Sequence, residues 1–367
     1  MASSTTASSR QKPAAVFAGA ISAPAARRIA VWLFIMCGLV AAMVIVGGAT
    51  RLTDSGLSIT EWRPVTGAMP PLSEDAWLAE FEKYKAIPEY EEVNWGMSLS
   101  EFKTIYWWEW GHRLLGRLVG AAFLLPLIGF LAVGQIRRPL ALKLFGLFAL
   151  GGAQGALGWY MVMSGLADRV DVSQYRLAAH LGLAVLLFGA MLWMALTLWR
   201  AGGAGARPVL RAPRLFWSAL ALSAAVYAQM LLGAFVAGLR AGRVYNTWPL
   251  MDGRFAPEAY FSGAPSFHDL FDSMAAAQFN HRIGAYLLAA GAVWFFIAAR
   301  KTAIRGRAGL LLGAVLVQIG LGIWTLLAAT PIALGLMHQV GALFVLASTL
   351  YAVHGLTMSM SMTVSSS

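Results

Sequence analysis

Eight stretches of the chain are long and apolar enough to cross a bilayer, and charged or aromatic residues bound each of them. They run at about residues 29–50, 110–134, 140–163, 176–199, 213–238, 280–299, 307–329 and 332–356. A spanning helix needs roughly 20 such residues, so the pattern predicts eight transmembrane helices. The segment before the second stretch has another rhythm. There Trp77, Phe81 and Tyr84 recur at helical spacing after Ser73, a residue suited to cap a helix. This predicts a short amphipathic helix outside the membrane. Thr53-Asp54-Ser55-Gly56 and Pro70-Pro71 mark turns on either side.

The pattern then repeats. A Gly/Pro-rich midpoint at about 200–212 separates two sets of four spans. An even number of spans per half gives both halves one orientation, related by an axis along the membrane normal. The predicted fold is an all-α membrane protein of eight transmembrane helices, arranged as two pseudo-two-fold-related four-helix bundles. Residues 1–28 read as a disordered tail and 29–199 as the N-terminal bundle, with a long outer loop at 51–109. Residues 200–212 are an inner linker, 213–356 the C-terminal bundle, and 357–367 a second tail. Loops as long as the outer one are usually functional. Small residues at Gly151, Gly152, Gly155 and Gly158 predict a face that a helix or a flat ligand approaches closely.

Composition and charge fix the class. Hydrophobic residues make up 59% of the chain and charged residues 12%, about half the globular norm of roughly 25%. A net charge of +11 raises the question of nucleic acid. With the spans assigned, all 17 acidic residues fall on one side and the other side carries only bases. Basic residues in short loops mark the cytoplasmic side, so the excess is a topology signal and both termini lie inside. A bacterial inner membrane is the expected location, ahead of the mitochondrial one, although residues 1–28 share the Arg-rich, acid-poor make-up of a transit peptide. Cys37 is the single cysteine, which excludes internal disulfides and cysteine-bound zinc.

Chemistry concentrates in the stretch Glu101–Gly120, EFKTIYWWEWGHRLLGRLVG. Tyr106, Trp107, Trp108 and Trp110 read as an aromatic belt at the interface. Glu109 and His112 are three residues apart and share a helix face. In the second half His281 and Arg282 take the places of His112 and Arg113, and His338 that of His180. Span seven has Gln318, Gly320 and Gly322 where span three has Gln154, Gly155 and Gly158. Each half therefore has a histidine at the outer mouth of its second and fourth helices. Two histidines facing across a bundle hold a haem iron from both sides, which predicts two metalloporphyrin sites. Arg113 and Arg282 lie where porphyrin propionates would emerge; snorkelling at a helix end is the other reading. His268 reads as a surface residue and His354 as part of the inner interface. Glu109 corresponds to Gln278, and only the carboxylate can move a proton. Chemistry is thus expected at His112 and His180, and a permanent, electron-relaying haem at His281 and His338.

With these residues in view the chain resembles the haem A synthase family over about residues 29–356. The resemblance rests on GGATRLTDSGLSITEWRPVTGAMPP at 47–71, on EWGHR at 109–113, on the HLG, NHR and MHQ contexts, and on the repeat. It implies oxidation of a methyl group of haem O to a formyl group by successive hydroxylation, giving haem A for terminal oxidases. It implies haem b at His281, His338 and Arg282. It places haem O at His112, His180 and Arg113, with Glu109 as the essential acid. Its partners would be haem O, a haem O synthase that hands it over, an electron donor yet to be identified and the bilayer. Nucleic acid is not expected, and a homo-oligomer is left open. Paired loop cysteines of other branches are absent here. The alternative is a two-haem electron-transfer cytochrome, or a haem carrier, without chemistry of its own. An iron held by two histidines has no open position for oxygen. Either an N-terminal histidine lets go or oxygen is activated elsewhere.

Overall fold

A computed structural model describes residues 21–167, 169–203, 212–260 and 269–356. In chain order its α-helices are α1 (Ala23–Leu52), α2 (Glu74–Lys85), α3 (Pro88–Glu92), α4 (Leu99–Ala132), α5 (Arg138–Val162) and α6 (Gln174–Ala201). They continue with α7 (Pro213–Gly238), α8 (Ala241–Val244), α9 (Asp269–Asp272), α10 (Met274–Ala299), α11 (Arg305–Leu327) and α12 (Ile332–Leu356). Eight of these, α1, α4, α5, α6, α7, α10, α11 and α12, are long and apolar enough to span a membrane, matching the eight apolar runs. Helix is the required state for such runs, because lipid offers no partner for a free backbone amide or carbonyl.

The boundaries show what local chemistry adds. α1 begins at Ala23, with Ser22 accepting the Ala25 amide and Pro24 in the first turn, so the last residues of the expected tail are helical. α4 begins at Leu99, above its membrane run, because Ser98 and Glu101 form a capping box. The expected tails at 1–20 and 357–367, most of the linker at 204–211, Asp168 and His268 lie outside the described residues.

α1, α6, α7 and α12 meet at the centre. α4 packs on α1, and α5 packs on α4 and α6; α10 packs on α7, and α11 on α10 and α12. The fully buried side chains Ile29, Leu33, Leu144, Leu198, Phe295, Leu311 and Leu356 all lie toward the end that carries the first and last described residues. That end is closely packed. His354 is buried there, its Nε2 3.2 Å from Thr197 Oγ1 and its ring edge-on to Trp193, in the inner position expected of it. The opposite end is where the other described histidines sit.

A cap covers one half of that second end. α2 forms where the Trp77-Phe81-Tyr84 spacing predicts it, and the Ser73 hydroxyl accepts the Ala76 amide at 3.2 Å. Those three side chains pack with Leu57, Ile59, Ile87, Tyr90, Phe102 and Tyr106 into a second, aromatic core. Tyr106 thus leaves the expected interfacial belt: it is buried edge-on against Trp77, while Trp107 and Trp108 stay exposed. The expected small-residue face is present on α5. Gly151, Gly152 and Gly155 face open space, and only Gly158 is closely approached.

Ion pairs tie the halves together at the capped end. Arg51 at the end of α1 pairs with Asp54 at 3.3 Å and Asp171 at 3.4 Å. Arg240, which follows α7, pairs with the same two acids at 2.8 and 2.9 Å. Asp54 and Arg240 take left-handed backbone (φ 51° and 53°), which turns both side chains into the cluster.

Candidate functional site

His281 and His338 face each other near the capped end of the second set of helices. Each lies about two turns into its helix, and their rings stand 6.4 Å apart, centroid to centroid, at 77°. A metal–imidazole bond is about 2.0–2.1 Å, so two rings clasping one metal have centroids roughly 6 Å apart. The observed pair has that separation.

Every one of the four histidines is seated against a glycine of a neighbouring helix. A Cβ at Gly233 would lie 3.2 Å from His281 Cε1, and one at Gly322 would lie 2.8 Å from His338 Cε1. In the first set, Gly158 stands the same way to His180 at 2.9 Å, and Gly47 to His112 Nε2 at 2.9 Å. No other residue fits these positions without moving the ring. His112 and His180 are also within electrostatic reach of each other. All four histidines are half-buried.

Three glutamines complete the seating. The Nε2 atoms of Gln154, Gln229 and Gln318 lie 3.1, 3.0 and 3.1 Å from Nδ1 of His180, His281 and His338. Each also donates to the backbone carbonyl of its histidine, at 2.9, 2.7 and 2.8 Å. Their Oε1 atoms are buried without a partner. Sequence reasoning singled out Gln154 and Gln318 only as repeat markers and missed Gln229. The readable signal was Gln-x-x-x-Gly, which occurs at 154–158, 229–233 and 318–322. It keeps the expected match of Gly158 with Gly322 and sets Gly155 against Ile319 instead of Gly320.

Glu109 is not at an aqueous mouth. It is 2% exposed, sealed by the start of the outer loop. Its Oε2 accepts the Ser58 hydroxyl and the Ile59 amide, both at 2.8 Å, and its Oε1 accepts Nε and Nη2 of Arg113. The same guanidinium donates to the carbonyls of Ile59 (2.7 Å) and Glu61 (2.9 Å). Arg113 therefore clamps the loop onto the acid. Arg282 holds the matching segment of the second half through the carbonyls of Tyr245 (3.1 Å) and Leu250 (3.5 Å), but it makes no ion pair among the described residues and its Nε is buried and unpartnered there. Gln278, opposite Glu109 in the repeat, is buried with an unpartnered Oε1.

These residues fit a porphyrin-borne metal and not a bare ion. No cluster of three or more His, Cys, Asp or Glu side chains able to hold an ion exists among the described residues. Two imidazoles per half could supply two donors, which suits a metal that arrives with its other ligands in place. The glycine seats leave the rings free to present an edge to a flat group. An apolar cleft of 390 Å³ is lined by Gly309, Gly313, Gln318, Gly341 and Phe344 among others, and of these Gln318 is the one whose carboxamide lies on His338.

A family described as cytochrome oxidase assembly protein matches residues 30–350. A heme A synthase of Parvibaculum lavamentivorans is 54% identical over 328 residues, covering 89% of this chain and 94% of that protein. One of Nitrosospira multiformis is 51% identical over 333 residues, covering 89% and 93%. One of Caulobacter vibrioides is 51% identical over 326 residues, covering 88% and 94%.

Proposed function

The chain belongs to the cytochrome oxidase assembly protein family, and on that premise we propose that it oxidises a methyl group of haem O to a formyl group, yielding haem A. The observation that supports the reading is the histidine-on-glycine seat, two in each half, with the buried carboxylate of Glu109 one helical turn from His112 and Gln278 in its place in the second half. His112 and His180 hold the substrate haem, and His281 and His338 hold haem b as the resident cofactor. That cofactor supplies the electron relay.

The protein's own part in the oxidation is to hold, orient and move protons. Two successive hydroxylations of the methyl carbon give a gem-diol, which loses water to become the aldehyde. Each stage needs protons delivered or removed beside the substrate, and Glu109 is the acid one helical turn from His112. Arg113 keeps that carboxylate in place and keeps bulk water out by pinning Ile59 and Glu61 over it. In the second half Gln278 replaces the acid, and among the described residues no carboxylate bonds to His281 or His338, as suits a haem that only passes electrons. The eight spans fit a multi-pass protein of a bacterial inner membrane; in this reading both termini are cytoplasmic, on the segregation of basic and acidic residues, and the haem seats lie near the outer face.

The test is haem extraction with mass analysis from cells that make this protein beside a source of haem O. Haem A is the expected product. Haem O recovered unchanged, with the protein haem-loaded, would instead make it an electron carrier or a haem chaperone.

A further inference from the structure

Two loops at the capped end, one in each half, reach along a spanning helix past its histidine. In the first, Arg117 of α4 donates Nε to the Pro64 carbonyl and Nη2 to the Arg63 carbonyl, both at 2.8 Å. A Cβ at Gly67 would lie 2.8 Å from the same Nη2. In the second, the indole of Trp248 donates to the hydroxyl of Tyr286 on α10 at 3.1 Å. Arg117 and Tyr286 each stand five residues beyond the histidine of their helix, about 7.5 Å further from the capped end than His112 and His281. Both anchors fall inside the apolar runs at 110–134 and 280–299.

The two loops are built alike. Arg113 takes the carbonyl of Ile59 and Arg282 that of Tyr245, and three residues further on each loop has a tryptophan. Trp62 is 42% exposed and Trp248 41%. Beyond them Val65 and Met69 stand open at 80% and 66%, and Phe255 at 69%. The residues that follow the anchors on their helices, Leu118 and Leu287, are exposed as well. Tryptophan collects where a membrane meets water, and exposed apolar side chains in one place mark a surface that something covers.

Irregular backbone beside lipid needs its amides and carbonyls met by the protein itself. In the first loop the amides of Gly67, Ala68 and Met69 donate to the carbonyls of Arg63, Val65 and Thr66, and Arg117 adds its two bonds. In the second, Met251 and Arg254 bond each other, while the Thr247 hydroxyl donates to the Leu250 carbonyl and accepts the Asp252 amide. Arg63, Asp252 and Arg254 suit the headgroup layer and not the hydrocarbon.

We propose that residues 62–69 and 248–255 are seated in the interfacial layer of the lipid leaflet at the capped end, with Val65, Met69 and Phe255 turned to the acyl chains. An apolar surface held in this way sinks about 5–10 Å into the boundary between headgroups and chains. The bilayer surrounds both halves, so it meets two surfaces built alike, which a single docked protein would not. The inference stands whatever reaction the histidine seats carry out.

Spin labels on single cysteines test it in the full chain reconstituted into phospholipid nanodiscs, with Cys37 replaced by alanine. Power saturation compares collisions with oxygen, which enters lipid, and with an aqueous nickel chelate. Labels at Val65→Cys, Met69→Cys and Phe255→Cys should favour oxygen, as should a lipid-facing control at the exposed Leu125 of α4. A control at the exposed Glu82 of the cap should favour nickel. Loop labels that follow Glu82 overturn the inference by placing the loops in water. Labels that meet neither reagent overturn it by placing them against protein. Val65 and Met69 decide for the first loop and Phe255 for the second, so a variant that fails to fold leaves another to decide.

Discussion

At the scale of single residues the acid of the first half carries the sharpest expectation. Glu109→Gln should leave both haem seats filled and cut the yield of haem A by 10²- to 10⁴-fold, the usual worth of general acid–base help. Haem extraction and the absorption spectrum of purified protein check both parts. The substitution is not silent structurally. An amide cannot accept from Arg113 on one side and from Ser58 and Ile59 on the other without setting one N–H against another. Near-normal haem A would remove Glu109 from the reaction. The helical spacing of Glu109 and His112 was readable in the chain, as were all four histidines. The burial of the acid was not, because its donors Ser58 and Ile59 come from far earlier in the sequence and nothing local marks them. The glutamine seats were half legible for the same reason: a carboxamide four residues from a glycine acquires meaning only when a third helix brings a ring between them.

At the scale of elements the cap is the part that the hydrophobic pattern foretold best, since α2 obeys its own spacing and its own N-cap. What the pattern does not reveal is a buried carboxyl inside it. Glu89 on α3 is 4% exposed and accepts a hydrogen bond from Tyr84, whose hydroxyl also accepts from Asn94. Burial pushes the Glu89 carboxyl up to about 8; Tyr84 opposes that, and Glu109, Asp171 and Asp54 add to it. Once the cap opens, the group titrates as a solvated glutamate near 4.3. Between those values the closed cap binds more protons than the open one. Closure is thus strongest below about pH 4.3, weakens as pH rises, and levels off above about 8. The steepest loss is about tenfold in the opening equilibrium per pH unit. Hydrogen exchange of the α2 amides, divided by their intrinsic rates, should show this opening in wild type and a flat profile in Glu89→Gln. Equal slopes in the two proteins would count against a protonated Glu89.

At the scale of the whole molecule the eight spans were legible because lipid enforces them. The meeting of α1, α6, α7 and α12 at the centre was not, since apolar faces in a membrane helix carry no direction in the sequence. Sidedness is open to direct measurement. Ser73 in the cap and Lys301 at the opposite end are both exposed, and the natural Cys37 is buried. An impermeant maleimide should label Ser73→Cys in cells with a permeabilised outer membrane, and Lys301→Cys only after the inner membrane is breached. The reverse order would invert the topology.

The ion cluster at the capped end also dictates an order of events during biogenesis. Arg51, Asp54 and Asp171 emerge from the ribosome with the first half, two acids sharing one base. The balancing Arg240 arrives only after α7 has been inserted. Until then the end of α1, which carries the seat for His112, is held on one side only. The first half, though made first, is therefore fastened on both sides only once the chain has passed its midpoint, and a chain stalled there leaves Asp54 and Asp171 sharing one base.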